Sequence, residues 1–249
     1  MPRLLLIPSH IGCWLDITPH SIHWIKRLRV LLTINPKQLE REMRDTFKID
    51  CSRKQLIQVP QNENQVWLDE MLETVKREDM GLVASAGTCC VADPGHRLVS
   101  HLRSSGIEII PLPGPSALTT LLSVSGVGFS PNNVEGFYFC FYNGESAGLM
   151  RALEQNEYIV ILSKYGSVKR FPALIRFLID KGFGARNISV FFDLTRFSNV
   201  WPYANKVLEK TCEQWEATFE SINWNIVGEI CFLVHPHKSL EVLTVGRSS

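Results

Sequence analysis

Short runs of apolar, β-favouring residues alternate along this chain with longer stretches that carry the spacing of amphipathic helices. Near the start, the pattern predicts a strand at Arg3–Ile7, a helix at 18–28 and a strand at 29–33. A charged helix is predicted at 36–47 and an amphipathic helix at 63–76. This alternation of strands and helices predicts an α/β protein.

The middle of the chain carries two units of strand, tight loop and helix. The first unit places a strand at 80–85, a loop at 86–95 and a helix at 94–104. The second places a strand at 107–112, the turn Pro113-Gly114-Pro115-Ser116 and a helix through about Val124. Because ligands of open α/β sheets bind beyond the carboxyl ends of the strands, we expect both loops to contribute to a binding site. The Asp93-Pro94 and Gly114-Pro115 pairs are equally typical of helix starts, so simple helix capping remains an alternative.

The pattern changes after Gly126, where we place a second domain. Strands are predicted at 134–142, 158–162 and 188–193, helical segments at 168–180 and 202–225, and a closing pair of strands at 228–234 and 240–245. The predicted domains are residues 1–113 and 114–249.

Composition and net charge limit the size of the core and the kinds of partner that the chain can bind. It has 249 residues, of which 45% are hydrophobic, enough for one large core or two modest ones. A net charge of +1 excludes attraction of the whole molecule to nucleic acid, so an RNA site must be a local patch. The segment 164–186 has six basic residues against one acidic residue and is a candidate phosphate contact, although a solvated helix face explains it as well.

Targeting and redox signals indicate a soluble cytoplasmic protein. The first apolar run has only four residues before Pro8, too short for a signal peptide, and no run reaches the length of a membrane span. Seven scattered cysteines without a CxxC pair fit reduced thiols and predict no metal site. We therefore expect no membrane partner.

Familiar nucleotide-binding motifs and the zinc-protease motif are missing from the chain. No GxGxxG, GxxxxGK[ST] or HExxH sequence occurs. A standard dinucleotide site, a standard ATP site and an HExxH hydrolase therefore lack support.

Longer segments around the two central loops are more specific. SAGTCCVADPG at 85–95, GIEIIPLPGPSAL at 106–118 and SVSG at 123–126 follow one another in this order. The chain resembles the tetrapyrrole-methylase superfamily, and within it most closely the ribosomal RNA small-subunit 2′-O-methyltransferase family, whose pattern is SDAGTPxISDPGxxLV, PLPGPSAL and SxSG. IPSHIG at 7–12 is similar to that family's VPTPIGN, and FDLTR at 192–196 to its RELTK.

The resemblance implies a two-domain, tetrapyrrole-methylase-like fold of the class III methyltransferases. It also implies that S-adenosyl-L-methionine binds in the cleft between the domains, usually in a homodimer. The implied activity is 2′-O-methylation of a cytidine ribose in small-subunit ribosomal RNA, with the RNA or the ribosomal subunit as partner. Carried over by position, the implied cofactor contacts are Pro8, Ala86, Gly87, Thr88, Val91, Ser116, Ala117 and, by a looser match, Ser163 and Leu194.

Three motifs depart from the family pattern. The EDTR-like stretch is TINP at 33–36, the FYESPHR block is ILSKYGSVKR at 161–170, and SDAGTP is ASAGTC at 84–89. Two alternatives therefore stay open. One is a tetrapyrrole- or precorrin-type methyltransferase, and the other is a degenerate module that binds S-adenosylmethionine or RNA without turnover.

Methyl transfer from a sulfonium depends mainly on alignment, but a ribose hydroxyl is a weak nucleophile that benefits from a base. The candidate catalytic residues are His10, Asp93 and Asp193. His10 suits proton transfer near neutral pH, although a loop histidine in contact with solvent is the alternative. For Asp93 the alternative role is to cap the helix that follows it. Cys89 and Cys90 are interpreted as packing residues.

Overall fold

The computed structural model describes residues 2–128, 136–142, 144, 146–162, 167–196 and 202–237. The chain divides into two compact units, one formed by residues 1–120 with 195–197 and the other by 121–194 with 198–249. The predicted boundary after Pro113 thus lies seven residues before the end of the first unit's main segment.

The first unit is built on a five-stranded, fully parallel sheet. Its strands are β1 Arg3–Ile7, β2 Val30–Thr33, β3 Gln55–Gln58, β4 Met80–Val83 and β5 Glu108–Pro111. Its helices are α1 Pro19–Arg27, α2 Pro36–Arg41, α3 Gln65–Arg77, α4 His96–Ser104 and the first part of α5 Ala117–Val124. The strand order is β3-β2-β4-β1-β5. Strands that follow one another in the chain are joined through helices, as parallel strands require and as the alternating pattern predicts.

Helices cover both faces of this sheet, which explains why β2 and β4 are buried along their whole length. On one face α3 and α4 pack through side chains such as Met71 and Leu98. On the other face α1 and α2 pack through Ile25 and Leu39. The sheet is thus held between two apolar layers, and only its ends are open to loops.

The second unit contains a mixed five-stranded sheet. Its strands are β6 Tyr138–Phe141, β7 Ile159–Leu162, β8 Asn187–Phe192, β9 Lys206–Thr211 and β10 Ile230–Val234, and its helices are α6 Ala147–Glu154, α7 Ser167–Asp180 and α8 Cys212–Thr218. The strand order is β6-β7-β10-β8-β9, with β10 antiparallel to both neighbours. The core is aromatic: Phe171 of α7 stacks on Phe232 with a centroid distance of 5.0 Å and meets Trp215 edge-on at 5.2 Å.

The α/β class is confirmed, and two element predictions for the second unit are wrong. The segment 202–225 is not helical throughout, because β9 occupies its first half and pairs with β8. The strand at 228–234 does not form half of a hairpin with 240–245, because β7 and β8 occupy both of its edges. Residues 240–245 lie outside the described residues. The sequence prediction also missed β3 and α6.

The expected cap at Asp93 is wrong as well. The N-cap of α4 is Gly95, whose φ of +120° is a conformation that favours glycine, and the helix begins at His96. The orphan amides are satisfied by Glu63, a buried residue of the loop before α3, which accepts from Gly95 N at 2.8 Å and Leu98 N at 2.7 Å. Glu63, which is distant in sequence, therefore satisfies the first amides of α4 in place of the expected Asp93.

Candidate functional site

Three loops of the first unit meet beyond the carboxyl ends of the neighbouring strands β4, β1 and β5. The closest approach is between the first and third loops, where Gly114 faces the buried Pro8 ring. A Cβ at position 114 would lie 2.2 Å from Pro8 Cγ and 2.6 Å from Pro8 Cβ. Only glycine fits this contact without displacing the loops.

Gly87 joins the second loop to the first. Its φ is +63°, its amide donates to the carbonyls of Ser9 at 3.2 Å and His10 at 3.3 Å, and its carbonyl accepts from Ser9 N at 3.0 Å. A Cβ on Gly87 would lie 3.5 Å from the Pro115 carbonyl oxygen in the third loop. Gly87 thus lies where all three loops come together.

The second loop is held in an unusual backbone conformation. Cys90 and Ala92 have φ values of +63° and +66°, a region that non-glycine residues seldom adopt. Nearby, the Cys89 thiol lies 3.3 Å from the Ile7 carbonyl and 3.2 Å from the Leu82 carbonyl, and donates towards both. Strained backbone that persists in a folded protein is concentrated at functional sites, so this loop is a candidate ligand clamp.

The loop cysteines are packing groups, as the sequence interpretation held. Burial raises the pKa of the Cys89 thiol to about 12 and that of Cys90 to about 11. Both side chains are therefore protonated near neutral pH and have little nucleophilic character.

Backbone amides supply hydrogen-bond donors at this site. In the described part of the chain, the amides of Ala86 and Thr88 in the second loop and of Ser116 and Ala117 at the start of α5 donate no hydrogen bond. Ala86 and Thr88 are exposed, whereas Ser116 and Ala117 are half-buried. Such donors are suited to carboxylate or carbonyl oxygens of a ligand, especially at a helix start.

The first loop is tied together by Asp16. Its Oδ2 accepts from the amides of Ile11 at 3.2 Å, Gly12 at 3.2 Å and Cys13 at 3.0 Å. Thr195, which belongs to the same unit, donates its hydroxyl to this oxygen at 2.7 Å. Four donors on one carboxylate oxygen fix the course of the loop that carries His10.

His10 has an acidic neighbour that the sequence did not indicate. Its Nε2 lies 3.7 Å from Oε1 of Glu42, an ion-pair distance, and the two side chains are 24% and 20% exposed. Glu42 follows α2 and is 32 positions away along the chain. No local spacing relates the two residues, so only the fold brings them together.

The predicted site residues fall into two groups. The first unit brings together Pro8, His10, Ala86, Gly87, Thr88, Val91, Ser116 and Ala117 on its three loops, with half-buried Asp93 on the second loop. Asp193 and the half-buried Leu194 belong to the second unit, and Ser163 lies outside the described residues.

The Asp193 carboxylate is buried and stabilises a turn. The residue is 1% exposed, and its Oδ1 accepts from Gly228 N at 3.1 Å and Glu229 N at 2.8 Å. Its φ of +44° marks a tight turn after β8. A buried carboxylate that already serves two amides is a poor candidate for accepting a substrate proton.

The cationic segment at 164–186 does not act as one surface. Arg186 is 3% exposed and donates to the carbonyl of Leu153 and, at 3.0 Å, to Asn156 Oδ1, so it cannot contact an RNA phosphate as expected. Arg176 is exposed and lies 3.9 Å from Glu216. Lys164 lies outside the described residues. The phosphate interpretation is therefore wrong for Arg186.

Metal-binding and membrane-spanning features do not occur in the described residues. No group of three or more histidine, cysteine, aspartate or glutamate residues there could hold a metal ion. No helix there has both the length and the apolar character that crossing a bilayer requires.

Sequence comparison finds matches over most of the chain. Residues 3–201 match the family model described as Tetrapyrrole (Corrin/Porphyrin) Methylases. The chain is 33% identical over 205 residues to "Ribosomal RNA small subunit methyltransferase I" of Leptospira biflexa, covering 81% of this chain and 82% of that protein. The identically named protein of Vibrio cholerae is 34% identical over 143 residues, which cover 55% of this chain and only 46% of that protein.

Solved structures share the fold at low sequence identity. A diphthine synthase structure superposes with a TM-score of 0.65 at 12% identity, over 94% of this chain and 90% of that chain. A Thermus thermophilus uroporphyrin-III C-methyltransferase, complexed with S-adenosylhomocysteine, gives a TM-score of 0.60 at 13% identity, over 94% and 97%. These structures show that the fold is shared. The family model and the L. biflexa match show that the chain belongs to the tetrapyrrole (corrin/porphyrin) methylase family, among relatives named ribosomal RNA small subunit methyltransferase I.

Proposed function

We propose that this chain is an S-adenosyl-L-methionine-dependent methyltransferase that modifies the 2′-hydroxyl of a cytidine ribose in small-subunit ribosomal RNA. The observation that carries the proposal is the meeting of three loops, held by Gly87 and Gly114, with unpaired backbone amides around them. The names of the L. biflexa and V. cholerae relatives support the choice of substrate.

The residues present fit this cofactor. S-adenosylmethionine carries a carboxylate, an ammonium group and an adenine, which need backbone donors and acceptors that side chains do not obstruct. The amides of Ala86, Thr88, Ser116 and Ala117 provide such donors. The residues that would hold the cofactor are Pro8, Ala86, Gly87, Thr88, Val91, Ser116 and Ala117, with Leu194 and Ser163 proposed on the family pattern alone.

When bound, S-adenosylmethionine supplies an electrophilic methyl group on a positively charged sulfur. The chain then has two tasks, which are to align the ribose hydroxyl and to receive its proton. Among the candidate bases, His10 lies on a site loop and is partly exposed. The Asp193 carboxylate instead holds the turn to Gly228 and Glu229, so we assign proton transfer to His10.

Arg97 and Arg103 on α4 are candidate RNA contacts. Both are exposed, and α4 directly follows the second loop. An RNA strand brought to the site would place phosphates near this helix, where guanidinium groups bind them well. Reversing both charges to glutamate is expected to weaken RNA binding and to flatten its dependence on salt, while cofactor binding stays unchanged.

The proposal is tested by transfer of labelled methyl groups from S-adenosylmethionine to small ribosomal subunits that lack the modification. We expect the label to enter the RNA with the wild-type chain. Thr88→Trp places bulk in the exposed second loop and is expected to abolish transfer and calorimetric cofactor binding. Glu70→Trp, on the exposed face of α3, is the matched control and is expected to retain both.

Other outcomes separate the alternatives. Cofactor binding without label in any RNA would overturn the RNA assignment and favour a module without turnover. Methylation of a precorrin-type compound instead would favour the tetrapyrrole class.

We also infer that the protein is a cytoplasmic homodimer. The family resemblance supports the dimer, and seven cysteines without a disulfide fit a reducing compartment. Sedimentation equilibrium is expected to give twice the chain mass of 28.3 kDa. A single-chain mass would contradict the dimer.

A further inference from the structure

Glu42 is held in place before any substrate arrives. Its Oε1 accepts from the Gln38 side-chain amide at 2.8 Å and lies 3.7 Å from His10 Nε2. The carboxylate is therefore anchored from its own helix on one side and faces the imidazole ring on the other.

The backbone at Glu42 is also specialised. Here α2 widens into a π-helical turn at Glu42–Thr46, in which the Glu42 carbonyl accepts from Phe47 N at 3.0 Å. Met43, the next residue, is fully buried and anchors the turn in the core. Single π-helical turns inside helices occur frequently at functional sites, because the extra residue redirects a side chain.

The backbone of His10 is equally fixed. Its carbonyl accepts from Gly87 N at 3.3 Å, and the amides that follow it bind Asp16 Oδ2. His10 thus belongs to a hydrogen-bonded loop that also contacts Gly87, one of the residues that would hold the cofactor. Its side chain pairs with that of Glu42, which comes from a distant part of the chain.

The charge state of Glu42 suits such a pair. Burial raises the pKa of the Glu42 carboxyl, but His10, the Gln38 amide and the nearby Arg41 together outweigh burial and hold this pKa below its ordinary value. The side chain is therefore ionised at neutral pH. An ionised carboxylate beside a histidine ring favours one tautomer and stabilises the charged ring.

We propose that Glu42 is a positioning residue that holds the Nε2–H tautomer of His10, so that Nδ1 accepts the proton of the substrate hydroxyl. This inference rests on the proposed function. The hydroxyl oxygen bonds to the methyl carbon and gives its proton to Nδ1, while the electron pair of the broken S–C bond stays with sulfur. The positive charge moves to the imidazole ring, where the Glu42 carboxylate balances it.

Neither member of the pair follows from the family resemblance. His10 stands where VPTPIGN has its second proline, and the stretch that resembles EDTR is TINP at 33–36, without an acidic residue. Glu42 brings a carboxylate to this end of the sheet from the helix that follows β2. The pair is therefore a feature of this chain rather than of the motif.

The test combines Glu42→Gln with a matched control, Glu40→Gln, an exposed substitution on the same helix. In protein with ¹⁵N-labelled histidine, the ring nitrogen shifts of His10 report its tautomer without any need for activity. We expect Glu42→Gln to reduce the Nε2–H form and Glu40→Gln to leave it unchanged. An unchanged His10 tautomer in Glu42→Gln would overturn the proposal.

Kinetics give the second measurement. Glu42→Gln is expected to lower kcat about tenfold with KM for the RNA little changed. His10→Ala is expected to lower kcat about a hundredfold, with no further loss in the double variant. Additive losses would contradict the pairing. If the wild-type chain methylates no RNA, the proposed function fails, whereas the tautomer measurement still decides the role of Glu42.

Discussion

Single residues determine how closely the site loops approach one another. At position 114, a side chain as small as a methyl group would overlap the Pro8 ring, with a Cβ to Cγ distance of 2.2 Å. The local sequence predicts a turn here, and it resembles a family motif. The reason for the glycine depends on a residue more than one hundred positions away, which no local pattern shows.

Gly114→Ala is expected to lower the free energy of unfolding by about 1–3 kcal/mol, because the loops must separate to admit the methyl group. It should also weaken binding of S-adenosylhomocysteine. Chemical denaturation and calorimetry measure the two effects. Gly136→Ala is the control, since a Cβ there meets nothing within 4 Å. Equal stability of both variants would show that the close approach is unimportant.

Cys89 tests the packing interpretation of the second loop. Because burial raises the pKa of its thiol to about 12, we expect iodoacetamide at pH 8 to leave Cys89 unmodified in the native protein. Mass spectrometry of the digested protein measures the modification, and the unfolded chain should be modified fully. Rapid labelling of native Cys89 with loss of methyl transfer would contradict a packing role.

At the scale of secondary structure, the strongly apolar elements were predictable, whereas two edge strands with an interrupted apolar pattern were not. The strand at Arg3–Ile7 and the helices around 18–28 and 168–180 were predicted correctly within a residue or two. The edge strands β3 and β9 were missed because polar and charged residues interrupt their apolar pattern, which is typical of protected sheet edges. Helix starts were predicted from local caps, whereas α4 takes its cap from distant Glu63.

Glu63→Gln tests this cap. The substitution replaces a carboxylate that accepts from two amides with a group that presents its own N–H donors to a buried site, so we expect a loss of about 1–3 kcal/mol in the free energy of unfolding. Faster hydrogen exchange at the Leu98 amide should accompany it. Exposed Glu70→Gln on α3 is the control and should change neither value. No loss in Glu63→Gln would mean that the α4 amides have another partner.

At the scale of the whole molecule, the alternation of elements predicted the α/β class, and the resemblance predicted the family. Neither gives the strand order β6-β7-β10-β8-β9, because the pairing of β10 between β7 and β8 joins segments that are far apart in the chain. The loops that form the candidate site were predictable, since both central loops directly follow strands. The contact between His10 and Glu42 was not predictable, since the two residues are 32 positions apart and no local spacing relates them.

Identification of the methylated nucleoside tests the proposed ribose methylation most directly. Small ribosomal subunits lacking the modification would be incubated with the protein and S-adenosylmethionine, and their RNA digested to nucleosides for mass spectrometry. We predict 2′-O-methylcytidine, absent with Thr88→Trp and present with Glu70→Trp. A methyl group on a base, or no methylated nucleoside despite measured cofactor binding, would contradict the assignment of this chain as a ribose 2′-O-methyltransferase.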